Sequence, residues 1–197
     1  MYIDKSKTYQ QNMYQYVNLV NITESESQMI LYWRNDSSIR QWMYNSDKIS
    51  QSEHDAFIKS LNNREDKFYW LIKCKGEPIG VMNIVDVNYS DNSAELGYYM
   101  RPDYMATGQG LDFVYNILSF VLYTLKIETI YGAVDVRNNG AYMLDIFLGF
   151  KESKMNNDEG SARFWKCYIT PEMFKENNDK KTDIMLFIKF LKQYGAK

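Results

Sequence analysis

The chain has 197 residues, 45% of them hydrophobic and 24% charged, which suits one folded domain with short appendages and excludes disorder as the main state. A net charge of −2 lacks the strongly basic footprint of a nucleic-acid binder. The single histidine, His54, excludes a multi-histidine metal site and leaves little room for a Ser-His-Asp triad, so no metal is expected. Against that one histidine stand 17 tyrosines and 25 acidic residues, so proton transfer falls to Tyr or carboxylate side chains. Cys74 and Cys167 are too few for a disulfide framework, and each lies in an apolar, strand-like run that suits a buried free thiol. The amino terminus has no signal-peptide core. The most apolar stretch, residues 111–125, carries Asp112 and Asn116 and falls short of the roughly 18–20 residues that span a bilayer. A soluble, cytoplasmic protein without a membrane partner is expected.

In chain order, residues 1–14 are polar and predict a loose segment, followed by a domain over 15–170 and an extension over 171–197. Residues 16–21 predict a first strand and residues 24–35 a helix, with Met29, Ile30 and Trp33 on one face. Ser50-Gln-Ser-Glu53 has the form of a capping box and opens a second helix carrying His54, Phe57, Ile58 and Leu61. The period then changes. Residues 68–74 and 79–87 read as a hairpin around Lys75-Gly-Glu-Pro78, and 93–100 as a further strand. Ala106-Thr-Gly-Gln-Gly110 leads into a long apolar helix ending near Lys126. A strand over 129–136, a helix over 140–148, a strand over 163–170 and an amphipathic helix over 183–193 complete the chain. The order predicts an α/β fold with a mixed sheet.

A strand, then Met105-Ala-Thr-Gly-Gln-Gly110, then a helix is an arrangement suited to an anion, because free amides at the helix start point towards negative charge. The turn has neither Rossmann nor Walker spacing. A second segment, Asn138-Asn-Gly-Ala141-Tyr-Met-Leu144-Asp-Ile-Phe147-Leu-Gly149-Phe150, follows the next strand directly. Together these resemble the GNAT superfamily of acyl-coenzyme A-dependent N-acetyltransferases. Its second signature is met at Asn138, Ala141, Leu144, Gly149 and Phe150. In its pyrophosphate loop Gly108 fits, while Ala106 replaces a glycine and Asp103 a Gln or Arg.

The resemblance implies a single-domain, mostly antiparallel sheet splayed between two central strands, 93–100 and 129–136, with flanking helices. It implies acetyl-coenzyme A as co-substrate, with Met100, Ala106, Thr107, Gly108, Gln109, Gly110 and Asn138 as coenzyme-binding residues.

Trp33-Arg-Asn35, Gln41-Trp-Met-Tyr44, Ile49-Ser50, His54, Phe57-Ile58 and Leu61 are similar to one branch of that superfamily. The branch acetylates the 4-amino group of a UDP-linked 4-amino-4,6-dideoxy-N-acetyl-altrosamine in pseudaminic (nonulosonic) acid biosynthesis. It implies that Arg34 and His54 meet the nucleotide and that Tyr99 lines the same pocket. A guanidinium suits a diphosphate because its forked donors reach two oxygens at once. Trp42 and Met43, with Tyr44, offer an apolar patch for a base or a deoxy-sugar methyl group. Taken alone, Arg34 is more often a helix-end surface residue, His54 more often a solvated side chain than a ligand, and Trp42-Met43-Tyr44 more often core.

Acetyl transfer to nitrogen needs a neutral amine, a polarised thioester carbonyl and a proton for the departing thiolate. Backbone amides around Tyr99 and Met100 suit the polarising role. Glu95 is the candidate base, sharing one strand face with Gly97 and Tyr99. The superfamily's usual acid, a Tyr after the signature Leu, is replaced here by Asp145. A carboxylic acid could serve only if burial kept it protonated near neutrality, and Tyr142, three residues earlier on the same helix, is the substitute. The alternatives are acetylation of a protein amino terminus or a polyamine, and a degenerate acyl-coenzyme A-binding domain without catalysis. The terminal helix fits against the domain or against a second copy, which leaves a homodimer open.

Overall fold

Two capping boxes start the amino-terminal helices. Thr23 opens α1 (Glu24–Asn35) and Ser50 opens α3 (Gln51–Ser60). In each, the cap hydroxyl accepts from the N3 amide while the N3 glutamate accepts from the cap amide. The computed structural model describes residues 3–105, 107–153, 163–175 and 182–194. It divides into two units, one formed by Tyr2–Asn88 and Glu95–Met105, the other built on Tyr89–Ala94 and Ala106–Lys197.

In the first unit, β1 (Tyr9–Gln11), β2 (Tyr14–Asn18), β3 (Phe68–Cys74) and β4 (Glu77–Asn88) pair antiparallel in that order, with Tyr14 opposite Cys74 and Phe68 opposite Ile84. β5 (Ser93–Met100) lies beside β4. The short α2 (Ser37–Arg40) follows α1, its first turn capped by the Asp36 carboxylate. Leu19, Ile30, Trp33, Ile39, Leu61, Leu71 and Val81 form the core beneath these helices, and Met43, Tyr69 and Tyr99 pack against it. Each such buried side chain contributes roughly 1.5–3 kcal/mol relative to exposure.

Two expectations at the amino terminus change. The strand occupies Tyr14–Asn18, and residues 19–21 form a 3₁₀ turn whose Val20 amide donates to the Asn18 side chain. The segment 1–14 is not loose among its described residues. Ile3 is buried, residues 9–11 form β1, and Lys5 Nζ donates to the carbonyls of Leu61 (2.9 Å) and Asn62 (3.1 Å) at the carboxyl end of α3. A cation at a helix carboxyl end satisfies free carbonyls and suits the helix dipole, and its partners lie too far along the chain for local polarity to reveal them.

In the second unit, the apolar helix α4 (Gly110–Ser119) continues as a π-helical turn over Phe120–Thr124 before Lys126 adopts positive φ. β6 (Thr129–Asp135) pairs antiparallel with β8 (Phe164–Ile169), which also pairs with the short β7 (Lys151–Glu152). α5 (Asn139–Leu148) follows β6, and α6 (Pro171–Lys175) and α7 (Ile184–Tyr194) end the described chain. Phe174 of α6 is fully buried against the rings of Tyr115 and Tyr123. Phe187 and Phe190 of α7 pack on Phe147 of α5, at 5.0 and 5.4 Å between ring centroids. The terminal helix therefore lies on this chain's own α5. Cys167 is buried and Cys74 only partly so, and neither is in a disulfide. Among the described residues no helix is long and apolar enough to cross a membrane.

Candidate active site

The first unit gathers the residues expected on the acceptor side. Arg34, in the last turn of α1, donates from Nη2 to the Asn45 carbonyl at 2.8 Å, while its Nη1 is buried with no hydrogen-bond partner among the described residues. Burial disfavours the charged guanidinium, partly offset by the phenols of Tyr99 and Tyr69; an arginine nonetheless stays protonated. Arg40 repeats the pattern, with Nη1 donating to the Ser46 carbonyl at 2.8 Å and Nε buried without a partner among the described residues. Burial pushes the Tyr69 and Tyr99 hydroxyls up, so both remain protonated donors at neutral pH.

Glu95, Gly97 and Tyr99 alternate along β5 and so share a face. A side chain at Gly97 would put its Cβ 2.3 Å from Asn83 Oδ1, and Asn83 is the hydrogen-bond partner of the Tyr69 hydroxyl. The glycine thus lets the strand approach the Asn83–Tyr69 pair. Glu95 is half-buried, and its Oε1 accepts a 2.9 Å hydrogen bond from the Tyr44 hydroxyl. Of the expected apolar patch, Trp42 and Met43 are half-buried, Met43 packs on the core, and Tyr44 is 59% exposed.

His54 is buried and so is not the solvated side chain that it resembles when taken alone. It is 4% exposed, and its Nε2 sits 3.0 Å from the Ser27 hydroxyl, joining α3 to α1. Burial pushes its pKa below the ordinary value. Met100 ends β5 half-buried. Asp103, standing where the superfamily has Gln or Arg, is held by Arg101, with Nε–Oδ1 at 2.7 Å and Nη2–Oδ2 at 2.5 Å. A neighbouring guanidinium thereby balances the acidic departure.

The second unit carries the residues expected to meet the coenzyme and the leaving group. Ala106 lies outside the described residues. Thr107, Gly108 and Gln109 are exposed, and Gly108 has φ +82° with open space where a Cβ would stand. Gln109 caps α4, which begins at Gly110, without any side-chain hydrogen bond. Among the described residues Gln109 thus differs from the N-caps of α1, α3 and α5, whose side chains each accept from a first-turn amide. Asn138 Oδ1 accepts from the Ala141 amide at 3.2 Å, so the signature Asn is also the N-cap of α5. Tyr142 is half-buried, its ring edge-to-face with Trp165 at 4.8 Å, and Asp145 is 3% exposed.

Three features escaped the sequence reading. The Tyr44–Glu95 bond joins residues 51 positions apart and leaves no local signal. Arg40, at the end of a four-residue helix, looks like any surface arginine. Asp135, buried at the end of β6, accepts from Arg137 Nε (2.8 Å) and Nη2 (2.6 Å) and from Arg163 Nε (2.8 Å). Its carboxyl is held far below the usual range, first by Arg137 and then by Arg163 against the cost of burial. The Asp-x-Arg spacing of 135 and 137 was the one readable hint of this cluster.

The chain belongs to the GNAT acetyltransferase family: the acetyltransferase (GNAT) domain matches residues 17–151. It is an enzyme of the N-acetyltransferase class, with the α/β fold of that family. Among curated relatives it is similar to the acetyltransferase PseH of Campylobacter jejuni (strain 81-176), at 32% identity over 144 residues, 70% of this chain and 88% of the relative. The spermidine N(1)-acetyltransferase of Escherichia coli K12 is 22% identical over 116 residues, 59% of this chain and 62% of that one. In fold, the chain resembles the crystal structure of Campylobacter jejuni PseH with acetyl coenzyme A (TM-score 0.62, 23% identity, 80% of this chain and 99% of that one). It also resembles the Vibrio cholerae spermidine N-acetyltransferase with CoA and spermine (TM-score 0.71, 17% identity, 83% and 99%).

Proposed function

We propose that this enzyme transfers the acetyl group of acetyl-coenzyme A directly to the 4-amino group of a UDP-linked amino-deoxy-sugar, as in nonulosonic acid biosynthesis. The observation that carries the reading is Arg34, a half-buried guanidinium with an unpartnered buried Nη1 and with Arg40 as a second cation nearby. Burying a donor without a partner is unfavourable, and an incoming diphosphate relieves that cost through charge-assisted hydrogen bonds. A polyamine would meet like charge at the same place. The identity to PseH supports the same acceptor class.

In this reading Arg34 orients the diphosphate and Tyr99 contributes a hydroxyl to the same pocket. His54 acts through packing, since its ring ties α3 to the first turn of α1, the helix whose last turn carries Arg34. The α4 amino terminus with Thr107, Gly108 and Gln109 receives the pyrophosphate of the coenzyme, and amides around Met100 polarise the thioester carbonyl. Glu95 takes the proton as the amine nitrogen bonds to the carbonyl carbon, and the carbon–sulfur bond breaks to release thiolate. Tyr142 returns a proton to that sulfur; of the two candidate acids it keeps an open surface, while Asp145 is almost wholly enclosed. No covalent acyl-enzyme is required.

Thiol release from acetyl-coenzyme A, followed across UDP-4-amino-4,6-dideoxy-sugars, spermidine and a peptide amine, tests the reading. Turnover confined to the nucleotide sugars is expected, and coenzyme binding without turnover on any amine would indicate a binding module instead.

A further inference from the structure

An exposed tyrosine ordinarily leaves its hydroxyl to water, yet Tyr44, 59% exposed, aims its hydroxyl at Glu95 Oε1 at 2.9 Å. The segment that carries Tyr44 is anchored on both sides of the ring. Arg34 Nη2 holds the Asn45 carbonyl and Arg40 Nη1 the Ser46 carbonyl, each at 2.8 Å. Asn35 then closes the segment onto α1, its Nδ2 donating to the Ile49 carbonyl and its Oδ1 accepting from the Ile49 amide, both at 2.8 Å. On the near side Met43 is packed into the core. A loop fixed this way holds its side chains in defined places, which a free surface loop does not.

We infer that Tyr44 is a positioning residue for Glu95: its hydroxyl bond to Oε1 holds the carboxylate in the orientation from which it serves the acceptor amine. The inference rests on the reading of Glu95 as base. In the step itself, a lone pair of the Glu95 carboxylate accepts the amine proton while the Tyr44 hydroxyl keeps its own proton and its bond to Oε1. No further reactant is needed. Because Arg34 holds both the loop carbonyl and, in the proposed function, the acceptor's diphosphate, the charged end of the acceptor and the orientation of the base share one anchor. Holding a reacting group in place is a large lever, since a misplacement of about 1 Å can cost on the order of a hundredfold in rate.

The test uses the full chain with acetyl-coenzyme A and a UDP-4-amino-4,6-dideoxy-sugar, comparing Tyr44→Phe, Glu95→Gln and the double variant. Glu95→Gln is expected to lower kcat by about a hundredfold or more, as loss of a general base does. Tyr44→Phe is expected to lower kcat by about tenfold, with the KM for acetyl-coenzyme A and the melting temperature unchanged, because the ring stays and only the hydroxyl leaves. The double variant should be no slower than Glu95→Gln, since a positioning group has nothing left to position. Wild-type kcat in Tyr44→Phe while Glu95→Gln is impaired overturns the inference alone. The same holds if the losses multiply in the double variant. Full turnover in Glu95→Gln removes the base assignment and the inference with it.

Discussion

Arg34 concentrates two duties in one side chain, one donor tied to a loop carbonyl and another buried without a partner. Lysine keeps the charge but loses the fork. Arg34→Lys should raise the KM for the nucleotide-sugar acceptor by roughly tenfold to a hundredfold, the effect of losing one charge-assisted hydrogen bond, and leave the KM for acetyl-coenzyme A unchanged. Steady-state kinetics with each substrate varied in turn will show it. His54 makes a separate prediction about stability. Its folded pKa is depressed by burial from the ordinary 6.5. As pH falls through that value the unfolded chain binds a proton that the folded chain resists, so the protein loses stability. The depressed carboxylates, such as Asp66 at about 2, act only at much lower pH. Melting temperatures taken from about pH 7.5 down to about pH 5.5 should therefore fall in the wild type and fall less in His54→Gln, this being the only histidine in the chain. The sequence pattern picked out Arg34 and His54 but not their surroundings. A ring flanked by Glu53 and Asp55 looks solvated until α3 is laid against Ser27.

At the scale of elements, boundaries written in local chemistry were legible and those written in tertiary contact were not. The Ser50–Glu53 box starts α3 where its residues say it should, because both partners lie within one turn. The strand of residues 93–100 and the helix of 24–35 follow their periodicity likewise. By contrast, the π turn over Phe120–Thr124 hides inside one apolar run, since α and π turns bury similar side chains. The anchoring of the amino terminus hides because Lys5 finds its carbonyls 56 and 57 residues away. Ser50→Ala should cost about 1 kcal/mol of stability by denaturant unfolding, with catalysis unaffected beyond that. Gly108→Ala should do the reverse kind of harm. The site has room for the methyl group, but φ +82° disfavours an L side chain by about 1–2 kcal/mol, so the turn before α4 will shift. Its signature is a raised KM for coenzyme with a modest loss of stability. On α5, Tyr142→Phe should lower kcat and spare the melting temperature, whereas Asp145→Asn, at a position 3% exposed, should act first on stability.

For the molecule as a whole, backbone similarity does not choose the acceptor. The TM-score is higher against a spermidine enzyme, 0.71 compared with 0.62 for PseH, while sequence identity runs the other way, 17% compared with 23%. Backbone similarity at these identities speaks for the shared fold, and the acceptor must be argued from side chains. There the pair of guanidiniums, each with a buried unpartnered N–H, favours an anionic acceptor. The opening composition, one histidine and many tyrosines, agrees with a reaction run by Glu95 and tyrosine hydroxyls. The candidate tyrosines were legible only in part: Tyr99 follows from the resemblance and Tyr142 from its place three residues before Asp145 on one helix, whereas Tyr44 as the partner of Glu95 is seen only in the folded chain. The most direct measurement is kcat/KM for a UDP-linked 4-amino-4,6-dideoxy-sugar against spermidine, under one set of conditions with acetyl-coenzyme A saturating. Arg34 engaging a diphosphate predicts a preference for the nucleotide sugar of about a hundredfold or more, as expected when a buried charged donor is left unpaired by the wrong substrate. Spermidine turning over as well as the nucleotide sugar would contradict it.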